Sequence, residues 1–268
     1  MWRERLPESV NGLARRWQLT VGVPFDREEG SCAWVAPVTR SDGTRAVLKL
    51  AVPHFEGEHE IDGLRVWSGN PTVQLLEWDD DLGAMLLERC DPGTPLGAVP
   101  EPEQDLEIAQ LLRRLWQLPP GGHRFRPLSA MLALWTEEAL ARRSRWHDAG
   151  LVGEGVRLWR ELSSSTESNV LLATDLHAGN VLRAEREPWL VIDPKPFVGD
   201  PAYDATQHLL NCRTRLLRDS GGTIRRFAEL LHVDHERVRL WTFARAAVES
   251  SDESPHPRAE ALARRLAP

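Results

Sequence analysis

A chain of 268 residues that is 41% hydrophobic and 27% charged reads as one large globular domain or two lobes, and excludes a fibrous or disordered protein. Its formal net charge of -7 argues against a nucleic-acid partner, because phosphate backbones select basic surfaces. No stretch approaches the ~18 apolar residues of a membrane span. The charged segment 1–19 lacks the apolar run of a secretory signal, and Cys32, Cys90 and Cys212 stand singly with no metal-ligand spacing, so a cytoplasmic protein is expected.

In chain order, a helix is expected over 7–17 and a strand over 31–39. The turn Arg40-Ser41-Asp42-Gly43-Thr44, with its Asp-Gly hairpin signal, leads to a return strand over 46–50. Ile61, Leu64 and Trp67 at helical spacing predict a helix over 55–68, stopped by Gly69-Asn70-Pro71. Strands at 73–78 and 84–88 follow, separated by the acidic turn Asp79-Asp80-Asp81-Leu82-Gly83. The Pro/Gly-rich run 91–97 then reads as a hinge. Beyond it, helices are expected over 103–118, 128–148, 203–217, 223–231, 235–248 and 257–266, with two short strands at 181–184 and 189–192. The pattern implies an α+β fold in two lobes: a small antiparallel lobe over 1–90 and a larger helical lobe over 91–268.

The densest chemical signal is Thr174-Asp175-Leu176-His177-Ala178-Gly179-Asn180, followed by Leu190-Val191-Ile192-Asp193. An Asp five residues before an Asn has the spacing of a kinase catalytic loop, and phosphoryl transfer needs a carboxylate by the attacking hydroxyl and oxygen ligands for magnesium. A lone D-x-x-x-x-N is common; the added hairpin and the Asp ending an aliphatic strand make the combination specific. The hairpin between is expected to bring Asn180 and Asp193 together on one hard cation. Lys49 sits in the apolar strand Ala46-Val47-Leu48-Lys49-Leu50, where a lysine is unusual unless paired. Glu56, Glu58 and Glu60 are offered by the next helix; Glu60 is the chosen partner and Glu58 the next choice, ahead of Asp62. Gly30 and Ser31 would offer backbone N–H groups to phosphate, although a single glycine there is also compatible with an ordinary turn. No Walker-type G-x-x-x-x-G-K-[ST] occurs.

These residues resemble the aminoglycoside and hydroxyurea phosphotransferase family, which includes the streptomycin 6-kinases. The resemblance runs from about Gly30 to Leu210. It is carried by Ile192-Asp193-Pro194-Lys195-Pro196-Phe197-Val198-Gly199-Asp200-Pro201-Ala202-Tyr203-Asp204, by Leu86-Leu87-Glu88-Arg89-Cys90-Asp91-Pro92-Gly93, and by His59-Glu60-Ile61-Asp62-Gly63. It implies a protein-kinase-like two-lobed fold using ATP, or GTP, with magnesium. Asp175 would position and deprotonate the acceptor hydroxyl, Asn180 and Asp193 would bind magnesium, and Lys49, braced by Glu60, would hold phosphates. Glu88 and Cys90 would lie in the hinge that touches adenine through its backbone. Asp200 or Asp204 would brace the catalytic loop, and Lys195 would contact phosphate or substrate. The family usually reads His-Gly-Asp at the loop; here it is Ala173-Thr174-Asp175.

The expected acceptor is a small polar or cationic molecule, first a streptomycin-like aminocyclitol, then hydroxyurea, an amino sugar or another metabolite, with antibiotic resistance as the role the family implies. Acidic candidates to line its site are Glu137, Glu138, Asp200, Asp252 and Glu253, with Tyr203 nearby in sequence. Trp135, Trp146 and Trp241 would stack on sugars or cations, or pack in the core. A catalytically silent nucleotide-binding module is the alternative class; Lys49, Asp175, Asn180 and Asp193 together argue against it. The expected protein is a monomer or dimer, with neither nucleic acid nor membrane as partner.

Overall fold

The structure is a computed structural model that describes residues 2–25, 32–166, 168–252 and 258–268. In chain order its elements begin with α1 (Trp2–Arg16), β1 (Leu19–Val21), β2 (Ala33–Arg40), β3 (Arg45–Ala51), α2 (Glu60–Trp67), β4 (Leu75–Asp79) and β5 (Ala84–Glu88). Then come α3 (Glu101–Leu115), α4 (Leu128–Ala141), α5 (Ala149–Ser164), β6 (Val170–Leu172), β7 (Val181–Arg183), β8 (Trp189–Val191) and β9 (Phe197–Gly199). The chain closes with α6 (Pro201–Asn211), α7 (Arg213–Arg218), α8 (Ser220–Leu231), α9 (His235–Glu249) and α10 (Ala259–Leu266). The fold is α+β. Packing divides it into one unit of Met1–Pro95 with Val181–Lys195 and another of Leu96–Asn180 with Pro196–Pro268. The hairpin β7–β8 therefore groups with the first unit, which the reading of two consecutive lobes did not include.

In the first unit an antiparallel sheet runs in the order β1-β2-β3-β5-β4. Its central hairpin closes where Gly43 takes φ 83° and Asp42 accepts the Thr44 N–H at 2.9 Å. Alternation along the strands sorts side chains onto two faces. Ala46, Leu48 and Leu50 of β3 and Ala84 and Leu86 of β5 form one core with Leu13 of α1. Met85 and Leu87 point the other way, to a second core with Leu64 of α2 and Leu190 of β8. Lys49 lies in register with Met85, on the face that receives α2.

The second unit is mainly helical. Asp200, Asp219 and Asp234 cap α6, α8 and α9 by accepting N–H groups of their first turns, and Pro201 opens α6 at a position where its missing N–H is harmless. β6 and β9 pair antiparallel, Leu171 opposite Val198. Gly199 ends β9 where a Cβ would sit 2.6 Å from the Leu128 side chain.

Several expected bounds move. The helix expected at 55–68 starts at Glu60, because 55–59 turn first. The helix expected at 128–148 stops at Ala141, and α5 begins just beyond, capped by Asp148, whose side chain accepts the Leu151 N–H. β1, β6 and β9 are three residues each, too short to show alternation.

Candidate active site

The first unit supplies a cationic centre. Lys49 is 5% exposed, and its Nζ donates to both Glu60 oxygens, at 2.5 and 2.7 Å. Of the three candidate glutamates, Glu60 is the one that reaches it; being the first residue of α2, it is aimed by the helix itself. Lys49 also donates to Asp193 Oδ1. Lys195 Nζ lies 2.8 Å from that same oxygen and is 7% exposed. Burial alone would raise the Asp193 pKa, but the two ammonium groups outweigh it and hold the carboxyl well below the usual range. Of the 33 lysine and arginine residues only two, Lys49 and Lys195, are lysine, and both converge on Asp193. Asp193 itself takes φ 54°, left-handed backbone of the kind that concentrates at functional sites.

The second unit holds the loop that follows β6. Asp204, fully buried in α6, accepts the Ala173 N–H at 3.0 Å and the Thr174 N–H at 2.8 Å. Trp116 Nε1 donates to Asp204 as well, at 3.0 Å. Burial pushes the Asp204 carboxyl up to about 6 against these donors. Between Asp200 and Asp204, then, Asp204 braces the loop, and it does so through backbone N–H groups. That explains how Ala173-Thr174 stand where the family usually has His-Gly: the brace asks nothing of the side chains. Asn180 Nδ2 donates to the Asp175 carbonyl at 3.0 Å, and Gln207 Nε2 donates to Asp175 Oδ1 at 2.7 Å. Gln207 was not singled out in the sequence; its position one turn of α6 beyond Asp204 was the available signal.

Other expected site residues fall elsewhere. Asp200 is 3% exposed, its carboxylate bonded to Arg237, to Trp241 Nε1 at 2.7 Å and to the Ala202 N–H at 2.9 Å. Tyr203 is fully buried, edge-on to Trp241 with ring centres 5.2 Å apart. Both are buried and anchor α6 to α9. Trp241 is core. Trp135 packs between Arg245 and Trp159, and Trp146 donates to the Ala139 carbonyl. Glu137 and Glu138 are exposed on α4. Asp252 pairs with Arg142 at 2.8 Å; partial burial, with like charge from Glu249 and Glu138, raises its pKa. Glu88 faces Arg186 at 2.8 Å, and its own N–H is taken by the Gln74 carbonyl. Cys90 is 7% exposed, in the core with Leu64 and Leu190; burial first, then Glu88, pushes its thiol up to about 11. Gly30, Ser31 and Glu253 lie outside the described residues.

The donors suited to a cation are oxygens. The Asn180 amide spends its NH2 on a backbone carbonyl, which leaves its oxygen for a cation, and the Asp193 carboxylate is held ionised. Amide and carboxylate oxygens suit magnesium rather than zinc.

A buried lysine clamped by a helix glutamate on a five-stranded antiparallel sheet, with a braced Asp–Asn loop in a helical unit, defines a kinase-like phosphotransferase. The fold is that of a solved choline kinase, LicA from Streptococcus pneumoniae, with TM-score 0.70 at 12% identity, covering 98% of this chain and 97% of that one. The profile of the family described as aminoglycoside/hydroxyurea antibiotic resistance kinase matches residues 16–253, and the chain belongs to that family. It is 37% identical to a hydroxyurea phosphotransferase of Kitasatospora aureofaciens over 247 residues, 90% of this chain and 71% of that protein. It is 36% identical to a streptomycin 6-kinase of Streptomyces glaucescens over 282 residues, 99% of this chain and 90% of that protein. The chain is a small-molecule kinase.

Proposed function

We propose that the protein transfers the γ-phosphoryl group of ATP to a hydroxyl of an aminocyclitol aminoglycoside such as streptomycin, with Asp175 as the base. The observation that carries this reading is the convergence of buried Lys49 on Glu60 and Asp193, a paired cation of the kind that holds nucleotide phosphates. Asp175, steadied through Gln207 and the Asn180 amide, orients the acceptor hydroxyl and takes its proton. Asn180 and Asp193 would each offer an oxygen to magnesium, which would supply neutralisation of charge on the phosphates. Lys195, paired with Asp193, would be a second cation for phosphate or substrate. A backbone N–H offered to adenine along 88–91 would come from beyond Glu88, whose own N–H is already engaged. The acidic group Glu138, Glu249 and Asp252 is a candidate for meeting a cationic acceptor. A cytoplasmic location fits the paucity of cysteine and the lack, among the described residues, of a helix long and apolar enough to cross a membrane.

Hydroxyurea is the second acceptor reading, favoured by the near-equal identity to the hydroxyurea and streptomycin enzymes. ADP release over streptomycin, other aminoglycosides, amino sugars and hydroxyurea separates the two. With the preferred acceptor, Asp175→Ala should lower kcat about 100- to 10,000-fold while nucleotide still binds. Asp193→Ala should instead abolish calorimetric binding of magnesium–ATP. Near-normal turnover by Asp175→Ala would sink the assignment of the base.

A further inference from the structure

Gln207 stands between a carboxylate and a guanidinium. Its Nε2 donates to Asp175 Oδ1 at 2.7 Å, and Arg245 Nη2 donates to its Oε1 at 2.6 Å. A guanidinium has donors only, so the amide oxygen must face Arg245 and the NH2 must face Asp175. The orientation of the amide is thereby fixed by chemistry.

Arg245 is itself held on several sides. Its Nη1 donates to Thr206 Oγ1 at 2.8 Å, and that hydroxyl in turn donates to the Tyr203 carbonyl at 2.7 Å. Its Cζ lies 5.2 Å from the Tyr203 ring centre and 5.8 Å from that of Trp135. These contacts come from α4 and α6, and Arg245 itself sits on α9, so the guanidinium is fixed to the helical framework rather than to the loop.

We propose that Arg245 and Gln207 form a positioning relay that sets the rotamer of the Asp175 carboxylate by holding its Oδ1. Asp204 locks the loop backbone; the relay locks the side chain that the loop carries. Neither residue touches the reacting atoms. The relay rests on the reading of Asp175 as the base.

The experiment has a structural arm and a kinetic arm. In a crystal structure of Gln207→Met, a near-isosteric side chain without donors, the Asp175 carboxylate is expected to leave its rotamer or occupy two; an unmoved, single carboxylate overturns the relay. In ADP release with magnesium–ATP and streptomycin, Gln207→Met is expected to lower kcat about ten- to a hundredfold, the scale of one hydrogen bond to a charged group. The nucleotide KM should stay within about twofold, since the relay acts on orientation rather than on nucleotide binding. Adding Arg245→Met to Gln207→Met should cost less than about twofold more, because both act through one contact. In an Asp175→Ala background Gln207→Met should cost nothing further. A full ten- to hundredfold loss in that background, or additive losses from Gln207 and Arg245, overturns the relay while leaving the base intact. Near-normal turnover by Asp175→Ala alone removes the base instead.

Discussion

At Thr174 the backbone takes φ 49°, in the left-handed region where a β-branched side chain is strained by about 1–2 kcal/mol. The residue is held there by its N–H, which Asp204 accepts, and by the tight turn in which the Asp175 N–H reaches the Ala173 carbonyl at 2.7 Å. Glycine, the family's usual residue at this position, would relieve the strain but free more of the unfolded chain, at about 0.5–1 kcal/mol. Thr174→Gly is therefore expected to leave stability unchanged or to raise it by up to about 1 kcal/mol, in contrast to the usual loss on placing glycine in ordered backbone. Urea unfolding checks this, and a clear loss would mean that the threonine side chain contributes more than its backbone costs.

Helix α5 packs on α9 through its smallest residue. A Cβ on Gly155 would lie 2.9 Å from the Ala247 Cβ and 3.1 Å from the Ala244 carbonyl, whereas a Cβ on Gly153 would meet nothing within 4 Å. The same substitution should thus have opposite signs two residues apart. Gly153→Ala is expected to stabilise by up to about 1 kcal/mol through helix propensity, and Gly155→Ala to destabilise by about 1–3 kcal/mol through overpacking, both read from thermal melts. The same glycines explain why α5 was not legible in the sequence: three of its first seven residues are glycine, a loop composition that only the neighbouring helix makes sensible. The strand 84–88 was legible to the residue, because both its faces are buried and the acidic turn marks its start. The pairing of Lys49 with Glu60 was legible because a buried lysine demands a partner within one element's reach. Less legible were Asp200 and Tyr203, whose motif gives their position but not that Arg237 and Trp241, far along the chain, bury them. Gln207 was hidden for the same reason, since Arg245 lies 38 residues away.

Across the second unit, four helices meet at one buried carboxylate. Asp105 of α3 accepts from His208 of α6 at 2.8 Å and from Arg215 of α7 at 2.6 and 2.7 Å, and the His208 ring lies 4.9 Å from that of Phe227 on α8. Burial opposes the charge, but these donors prevail and hold the carboxyl down to about 2. Because the folded value lies below the ordinary 3.8, the stabilisation is present above about pH 4 and is lost as pH falls towards 2. It amounts to roughly 2 kcal/mol. Asp105→Asn should be less stable than the parent by about 3–5 kcal/mol at pH 7, since it leaves a buried guanidinium poorly matched. The gap in urea midpoint should narrow between about pH 4 and pH 2; a gap of constant size would mean that the contribution is packing and not charge.

The concentration of both lysines at Asp193 has a practical side. A reagent that acylates side-chain amines has two targets in the entire sequence, each less than a tenth exposed and each gripping the same carboxylate. The arginines that make up the remaining positive charge are blind to such chemistry. Lysine acylation in this protein is therefore a gauge of whether that carboxylate has let go: ester-based dyes, crosslinkers and immobilising resins either miss the side chains of the folded chain or strike the two ammonium groups that hold Asp193.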